Sequence, residues 1–209
     1  MIKVRRQPEP DNFNSLVRQP GRKFLRAFSR PTSKQFITHG YWRRILEALH
    51  DAYSGICAYS CHWIPYDTGA DTVEHFRAKK KYPKDAYEWD NYRLVCATLN
   101  GRKGDHEDVL DPFLIRDGDF ILKFPSLLVV PSPELAPDAQ DQVQKTIDRL
   151  QLNDEGTCLK SRLKWLTDYC SDDITFNHLQ NHAPFVAMEL RRQNLVDAIK
   201  MMMRPGSTP

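Results

Sequence analysis

The chain of 209 residues has no apolar run approaching the ~20 residues that a membrane span needs. Its mean hydropathy is −0.58, and no membrane partner is expected. The opening MIKVRRQPEPDNF carries basic residues but no apolar core of a secretory leader, which predicts a cytoplasmic protein. There is no internal repeat and no low-complexity tract. Five cysteines, an odd number, do not suggest a disulfide framework in a reducing compartment; free thiols or metal ligands fit better. The net charge is only +3, so the distribution of charge says more than its sum. Residues 1–35 hold nine Lys or Arg against Glu9 and Asp11 alone, and a second basic run spans residues 77–84. Such clusters suit phosphate backbones, although a solvated face is the plainer reading of any one charge run.

What is present falls into four stretches. Residues 1–31 carry Pro8, Pro10, Pro20 and Pro31 and read as a basic, extended arm. Residues 32–55 read as one helix of a framing lobe, capped at Thr32 or Ser33, with Trp42, Ile45, Leu46, Leu49 and Tyr53 on one face and Gly55 as its stop. Residues 56–112 are dense in Cys, His, Asp, Asn and Gly. Residues 113–209 read as a hairpin around Asp117-Gly118 followed by a mainly helical lobe. In that lobe Val143, Ile147 and Leu150 form one stripe, and Leu159, Leu163 and Leu166 another. Pro184 opens a last helix through Leu195 and Ile199. Met201, Met202 and Met203 read as a frayed or docked end, Cys158 and Cys170 as buried thiols. His178 and His182 can make a metal pair at i, i+4, but a capping or surface role suits them better.

The chemistry concentrates in residues 56–112. A carboxylate and an imidazole stand side by side in Val73-Glu74-His75-Phe76. The basic run follows, then Asn91 before an apolar stretch ending in Cys96, then Asn100 with Lys103 three residues on. This order resembles the HNH endonuclease (His-Me finger) motif. The resemblance implies an α+β fold, with a central ββα-metal module framed by N- and C-terminal helices. It implies hydrolysis of DNA phosphodiesters with Mg²⁺ or Mn²⁺. His75 would be the general base and Asn91 would fix the loop and orient it. Glu74 and Asn100 would be oxygen ligands to the metal. Arg77, Lys79, Lys80, Lys81, Arg102 and Lys103 would contact phosphates. Asp105 would stand behind the ligands or be a surface acid. Side chains alternate along a strand, so Glu74 and His75 are expected to point apart.

The phrases MIKVRRQPEP, EHFRAKKKYPKDAYEWDN, IDRLQLN and LKSR extend the likeness to HNH effectors that accompany an ATPase in Septu-type and retron-linked anti-phage systems. That likeness implies an ABC-type ATPase partner. Many HNH proteins also hold a structural Zn²⁺ through two CxxC pairs. Here Cys57 and Cys61 have three residues between them, and Leu99 stands where the partner of Cys96 is expected. Three outcomes remain open: no zinc, zinc on Cys57, Cys61, His62 and Cys96, or partial binding. Two other functions also remain open, a catalytically inactive HNH-frame binding or scaffolding module and an RNA-cleaving HNH nuclease.

Overall fold

A computed structural model describes residues 1–68 and 70–203. Gly69 and the last six residues of the predicted 113–209 lobe lie outside the described residues. The fold is α+β. Two short antiparallel hairpins are set among helices, and apolar side chains from Met1 to Ile199 form one continuous core.

The N-terminal arm is packed rather than loose. Pro8 and Pro10 precede a π-helical turn, Asn14–Arg18, that runs without a break into α1 (Gln19–Ala27); Pro20 lacks the N–H that would continue the ladder, and the Leu16 carbonyl four residues back accepts Arg44 Nη1 at 3.2 Å. Prolines and charges predict a loose arm, but its apolar residues anchor it. Met1, Phe13, Val17 and Phe24 are all buried. Phe13 meets Trp89 and Tyr92 edge-on at 5.6 and 5.8 Å. Arg18 pairs with Glu9 and, at 2.7 Å, with Glu88.

The predicted helix over 32–55 is divided. Thr32 caps α2 (Ser33–Thr38) with a capping box closed by Gln35. A 3₁₀ turn, Tyr41–Ile45, then leads to α3 (Leu46–Ala52). Gly40, the poorest helix former short of proline, sits at the break. Trp42, Ile45 and Leu49 are buried as expected, while Leu46 and Tyr53 are half-buried.

Strands β1 (Asp71–His75) and β2 (Tyr92–Cys96) pair antiparallel, with His75 opposite Tyr92 and Asp71 opposite Cys96. Helix α4 (Ala97–Lys103) begins at the next residue. α3 and α4 both pack on this hairpin. The segment between the strands, residues 76–91, is a long irregular loop.

The second hairpin differs from expectation. Its strands are β3 (Phe120–Lys123) and β4 (Leu128–Pro131), joined through Pro125 and Ser126, with a cis Phe124–Pro125 peptide. Asp117-Gly118 makes a turn before β3, because the preceding Phe113-Leu114-Ile115 is itself a turn held by Asp111. The helices that follow are α5 (Pro137–Leu150), α6 (Lys160–Cys170), α7 (Phe176–His182), α8 (Pro184–Arg192) and α9 (Ala198–Met202). The predicted last helix breaks at Asn194, whose φ is +55°. Leu166 is buried but Leu163 is exposed, so that stripe holds only in part. His178 and His182 stack on each other at 3.9 Å, with Trp165 against both.

Gly21 is where α1 touches the inter-strand loop. A Cβ there would lie 2.1 Å from Cγ of the buried Tyr87 ring. Gly21→Val is therefore expected to cost about 1–3 kcal/mol through overpacking. Urea denaturation measures this, and an unchanged midpoint would show that α1 can move off Tyr87.

Candidate functional site

Between β1, the start of α3 and the end of α4 lies a cleft of about 430 Å³. Of the predicted site residues it gathers Glu74, His75, Lys79 and Asn100, with Asp105 beside them. Trp42, Arg43 and Thr72 also line it, none of them marked by any motif in the sequence.

His75 ends β1 and is 6% exposed. Its Nε2 lies 3.0 Å from the Ala86 carbonyl oxygen. A carbonyl only accepts, so Nε2 carries the hydrogen and Nδ1 keeps the lone pair. The same carbonyl accepts the Tyr92 hydroxyl at 2.8 Å. Trp42 and Tyr92 hold the ring edge-to-face at 4.6 and 5.2 Å. Burial first, then the nearby Lys79 charge, push the His75 pKa down to about 3.

Asn91 fixes the loop that delivers that carbonyl. Its Oδ1 accepts the Arg77 amide at 2.7 Å, and its Nδ2 donates to the carbonyls of Arg77 and Asp85, each at 3.1 Å. Asp85 is the residue before Ala86. Asn91 touches the loop and does not line the cleft.

Glu74 is 1% exposed and forms an ion pair with the buried Lys103 ammonium at 2.8 Å. Tyr59 donates to its other oxygen at 3.2 Å, and Lys103 also donates to the Phe76 carbonyl at 3.0 Å. Burial still pushes the Glu74 carboxyl up. Asn100 donates from Nδ2 to Thr72 Oγ1 at 2.8 Å, and the Thr72 hydroxyl donates to the Val95 carbonyl at 2.6 Å. That chain orients the amide and leaves Asn100 Oδ1 as an acceptor. The Glu74 carboxylate and the Asn100 amide oxygen are hard donors of the kind Mg²⁺ and Mn²⁺ take. Among the described residues no group of three or more His, Cys, Asp or Glu forms a metal cluster.

The predicted phosphate contacts separate. Arg77 pairs with Asp85 at 2.8 Å and lies over the Tyr82 ring. Lys80 pairs with Asp105 at 3.5 Å, and Lys81 with Glu107. Lys103 is consumed by Glu74. Arg102 leaves the cleft and binds the carbonyls of Leu150 and Gln151 at the end of α5, at 3.2 and 3.1 Å. Of the predicted set, Lys79 alone lines the cleft without an ion pair among the described residues.

Of the zinc set Cys57, Cys61, His62 and Cys96, the thiols of Cys57 and Cys96 meet, but among the described residues no three of the set form a metal cluster. Cys57 Sγ accepts the amides of Ser60 at 3.5 Å and of Cys96 at 3.4 Å. The residue that turns back toward it is therefore Ser60, three positions on. Cys61 has a φ of +56° and its thiol faces the Met1–Ile2 segment. Burial raises Cys61, whereas the Cys96 thiol and these two amides outweigh burial and make Cys57 the more acidic partner of Cys96. His62 Nδ1 lies 2.9 Å from Ser161 Oγ, and its buried Nε2 has no hydrogen-bond partner. His62, Ser60, Cys96, Leu99 and Cys158 line a second cavity of about 210 Å³. The two segments that meet are therefore Cys57-Ala-Tyr-Ser60 and Cys96-Ala-Thr-Leu99, a CxxS and a CxxL pattern that the sequence shows once Cys61 is set aside.

His62 and His75 each sit near pKa 3 in the fold and near 6.5 when unfolded. The unfolded chain therefore binds more protons between those limits. The stability these two residues contribute is full above pH 6.5 and declines as the pH falls toward 3, by about 1.4 kcal/mol per pH unit for each. The urea midpoint should drop between pH 7 and pH 5, and His75→Gln should flatten that slope by about one proton. An identical slope in the variant would show that His75 titrates normally. Separately, Ser60→Cys with Leu99→Cys should complete a four-thiolate site with Cys57 and Cys96. About one zinc per chain should survive desalting, measured by elemental analysis, and a gain of none would mean the four positions do not converge.

No family model and no curated protein matches this chain.

Proposed function

We propose that the chain is a metal-dependent HNH endonuclease that hydrolyses DNA phosphodiesters, and that β1, β2 and α4 are its ββα module. The observation that carries this reading is the anchored imidazole. A histidine whose Nε2–H is held by the Ala86 carbonyl, on a loop stapled by Asn91, offers Nδ1 as a proton acceptor at a cleft that also holds a carboxylate and an amide oxygen. In that role His75 takes the proton from the attacking water. A phosphodiester in the cleft would offset the Lys79 charge and raise the basicity of His75 from its depressed value. Glu74 and Asn100 would hold the divalent cation, which when bound supplies Lewis acidity at the phosphate oxygens. The ATPase partner belongs to the resemblance and is proposed with it. Among the described residues no helix is long and apolar enough to cross a membrane.

The Glu74–Lys103 pair favours a second reading, an inactive frame that binds nucleic acid. The carboxylate a cation needs is already neutralised, and a buried pair of this kind resists being opened from one side. Cleavage distinguishes the two. Purified protein with Mg²⁺ or Mn²⁺, with and without the ATPase, should nick plasmid DNA, and His75→Ala should lower the rate by about 10²–10⁴ with its thermal melt retained. Equal rates would remove His75 from the chemistry. No cleavage under any of these conditions, with DNA still bound, would establish the second reading.

A further inference from the structure

The basic run of residues 77–84 draws attention in the sequence, yet its charges are largely spent inside the fold. Arg77, Lys80 and Lys81 each meet a carboxylate, at Asp85, Asp105 and Glu107. Two cations on the cleft are different. Lys79 has no ion pair among the described residues, and it is half-buried with its ammonium 5.6 Å from the centre of the Trp42 ring. Burial lowers its pKa, against the longer-range pull of Asp105 and Glu74. Arg43 is exposed and likewise meets no carboxylate among the described residues. It donates to the Ile37 carbonyl at 3.0 Å, and its guanidinium carbon lies 5.9 Å from the centre of that same ring. The edge of His75 meets Trp42 at 4.6 Å. One indole thus spaces two cations and the imidazole around one opening.

Arg43 is also seated. Gly40 lies directly under its guanidinium, and a Cβ at residue 40 would be 2.9 Å from both Cζ and Nη1. The glycine therefore leaves the room the guanidinium occupies, and its backbone needs no positive φ. Asp71, Glu74 and Asp105 also line the cleft, but among the described residues none of them forms an ion pair with Arg43 or Lys79, so both cations keep donors for an incoming anion. Guanidinium and ammonium donors set beside a polar cleft suit the non-bridging oxygens of a phosphate.

We infer that Arg43 and Lys79 form the phosphodiester-binding pair of this cleft, seating the DNA backbone on either side of Trp42, with Gly40 as the residue that positions Arg43. This rests on the cleft being a nucleic-acid site but not on its catalysing cleavage.

The test measures binding by His75→Ala protein, which separates it from the cleavage experiment. Fluorescence anisotropy of a labelled DNA duplex, titrated from 50 to about 200 mM salt, gives the affinity and its salt slope. Arg43→Ala and Lys79→Ala should each weaken binding several-fold and reduce the slope by about one. Lys80→Ala and Lys81→Ala should shift both much less. Gly40→Val keeps every charge yet displaces the guanidinium, so it should reproduce the Arg43→Ala loss, with an unchanged thermal melt showing that the fold survives. Unchanged affinity in Arg43→Ala and Lys79→Ala would overturn the assignment, and so would losses in Lys80→Ala and Lys81→Ala that equal theirs. Absence of DNA binding at low salt would overturn it as well, whatever the cleavage assay shows. Stronger binding to an RNA duplex through the same two residues would move the ligand class from DNA to RNA.

Discussion

The side-chain amide of Asn91 holds the site together. Its three hydrogen bonds close a long irregular loop onto itself, at Arg77 on one side and Asp85 on the other. Short 3₁₀ turns at Pro83–Asp85 and Trp89–Asn91 and local backbone bonds shape the loop, and the Asn91 amide ties its separate parts together. With Asp85 fixed, the next carbonyl, Ala86, falls where both His75 and Tyr92 reach it. Remove the amide and the imidazole loses the acceptor that sets its tautomer. The N-terminal arm supports the same loop from outside, with Gly21 against Tyr87, Arg18 on Glu88 and the Gln7 carbonyl accepting Trp89 Nε1.

Charge in the cleft is arranged as a contest. Lys103 neutralises Glu74 in the interior, and burial first, with Lys79 second, depresses the basicity of His75 nearer the opening. Both effects oppose the proposed chemistry in the free protein and weaken when anions and cations enter together. A phosphate answers Lys79, and a divalent cation competes with the Lys103 ammonium for the same carboxylate. Under the proposed function the free protein therefore rests in a state of low reactivity, and substrate with metal shifts it as a unit.

Much of this was legible in the sequence. The cap at Thr32 follows from local spacing, while the α+β class, the closeness of Glu74, His75 and Asn100 and the loop-fixing place of Asn91 are what the motif resemblance implies. The failures share a physical cause: a residue's partner can lie far along the chain. Prolines and charges in residues 1–31 suggested a free arm, but the partners of Phe13 and Gly21 are Trp89, Tyr92 and Tyr87. The basic run looked like a phosphate surface because its neutralising acids, Asp105 and Glu107, come more than twenty positions later. Arg102 looked like a phosphate contact because it stands beside Lys103, yet on a helix the two point in different directions. Arg43 carried no signal, since Trp42 beside it read as core. The Cys57–Cys61 spacing leaves zinc open in the sequence, because the left-handed φ of Cys61 that puts its thiol toward Met1–Ile2 and Ser60 on Cys57 is not written in local spacing.

The grip of Arg102 on the end of α5 reaches further than its own contacts. Its guanidinium ties the helix that carries Asn100 to the carbonyls of Leu150 and Gln151, and it also takes the Thr157 hydroxyl at 3.0 Å. Asn100 and Arg102 are half a turn apart on one rigid rod. The C-terminal helices thus have a mechanical purchase on the cleft, and a body bound to α5 that shifts its end would swing the Asn100 amide with it.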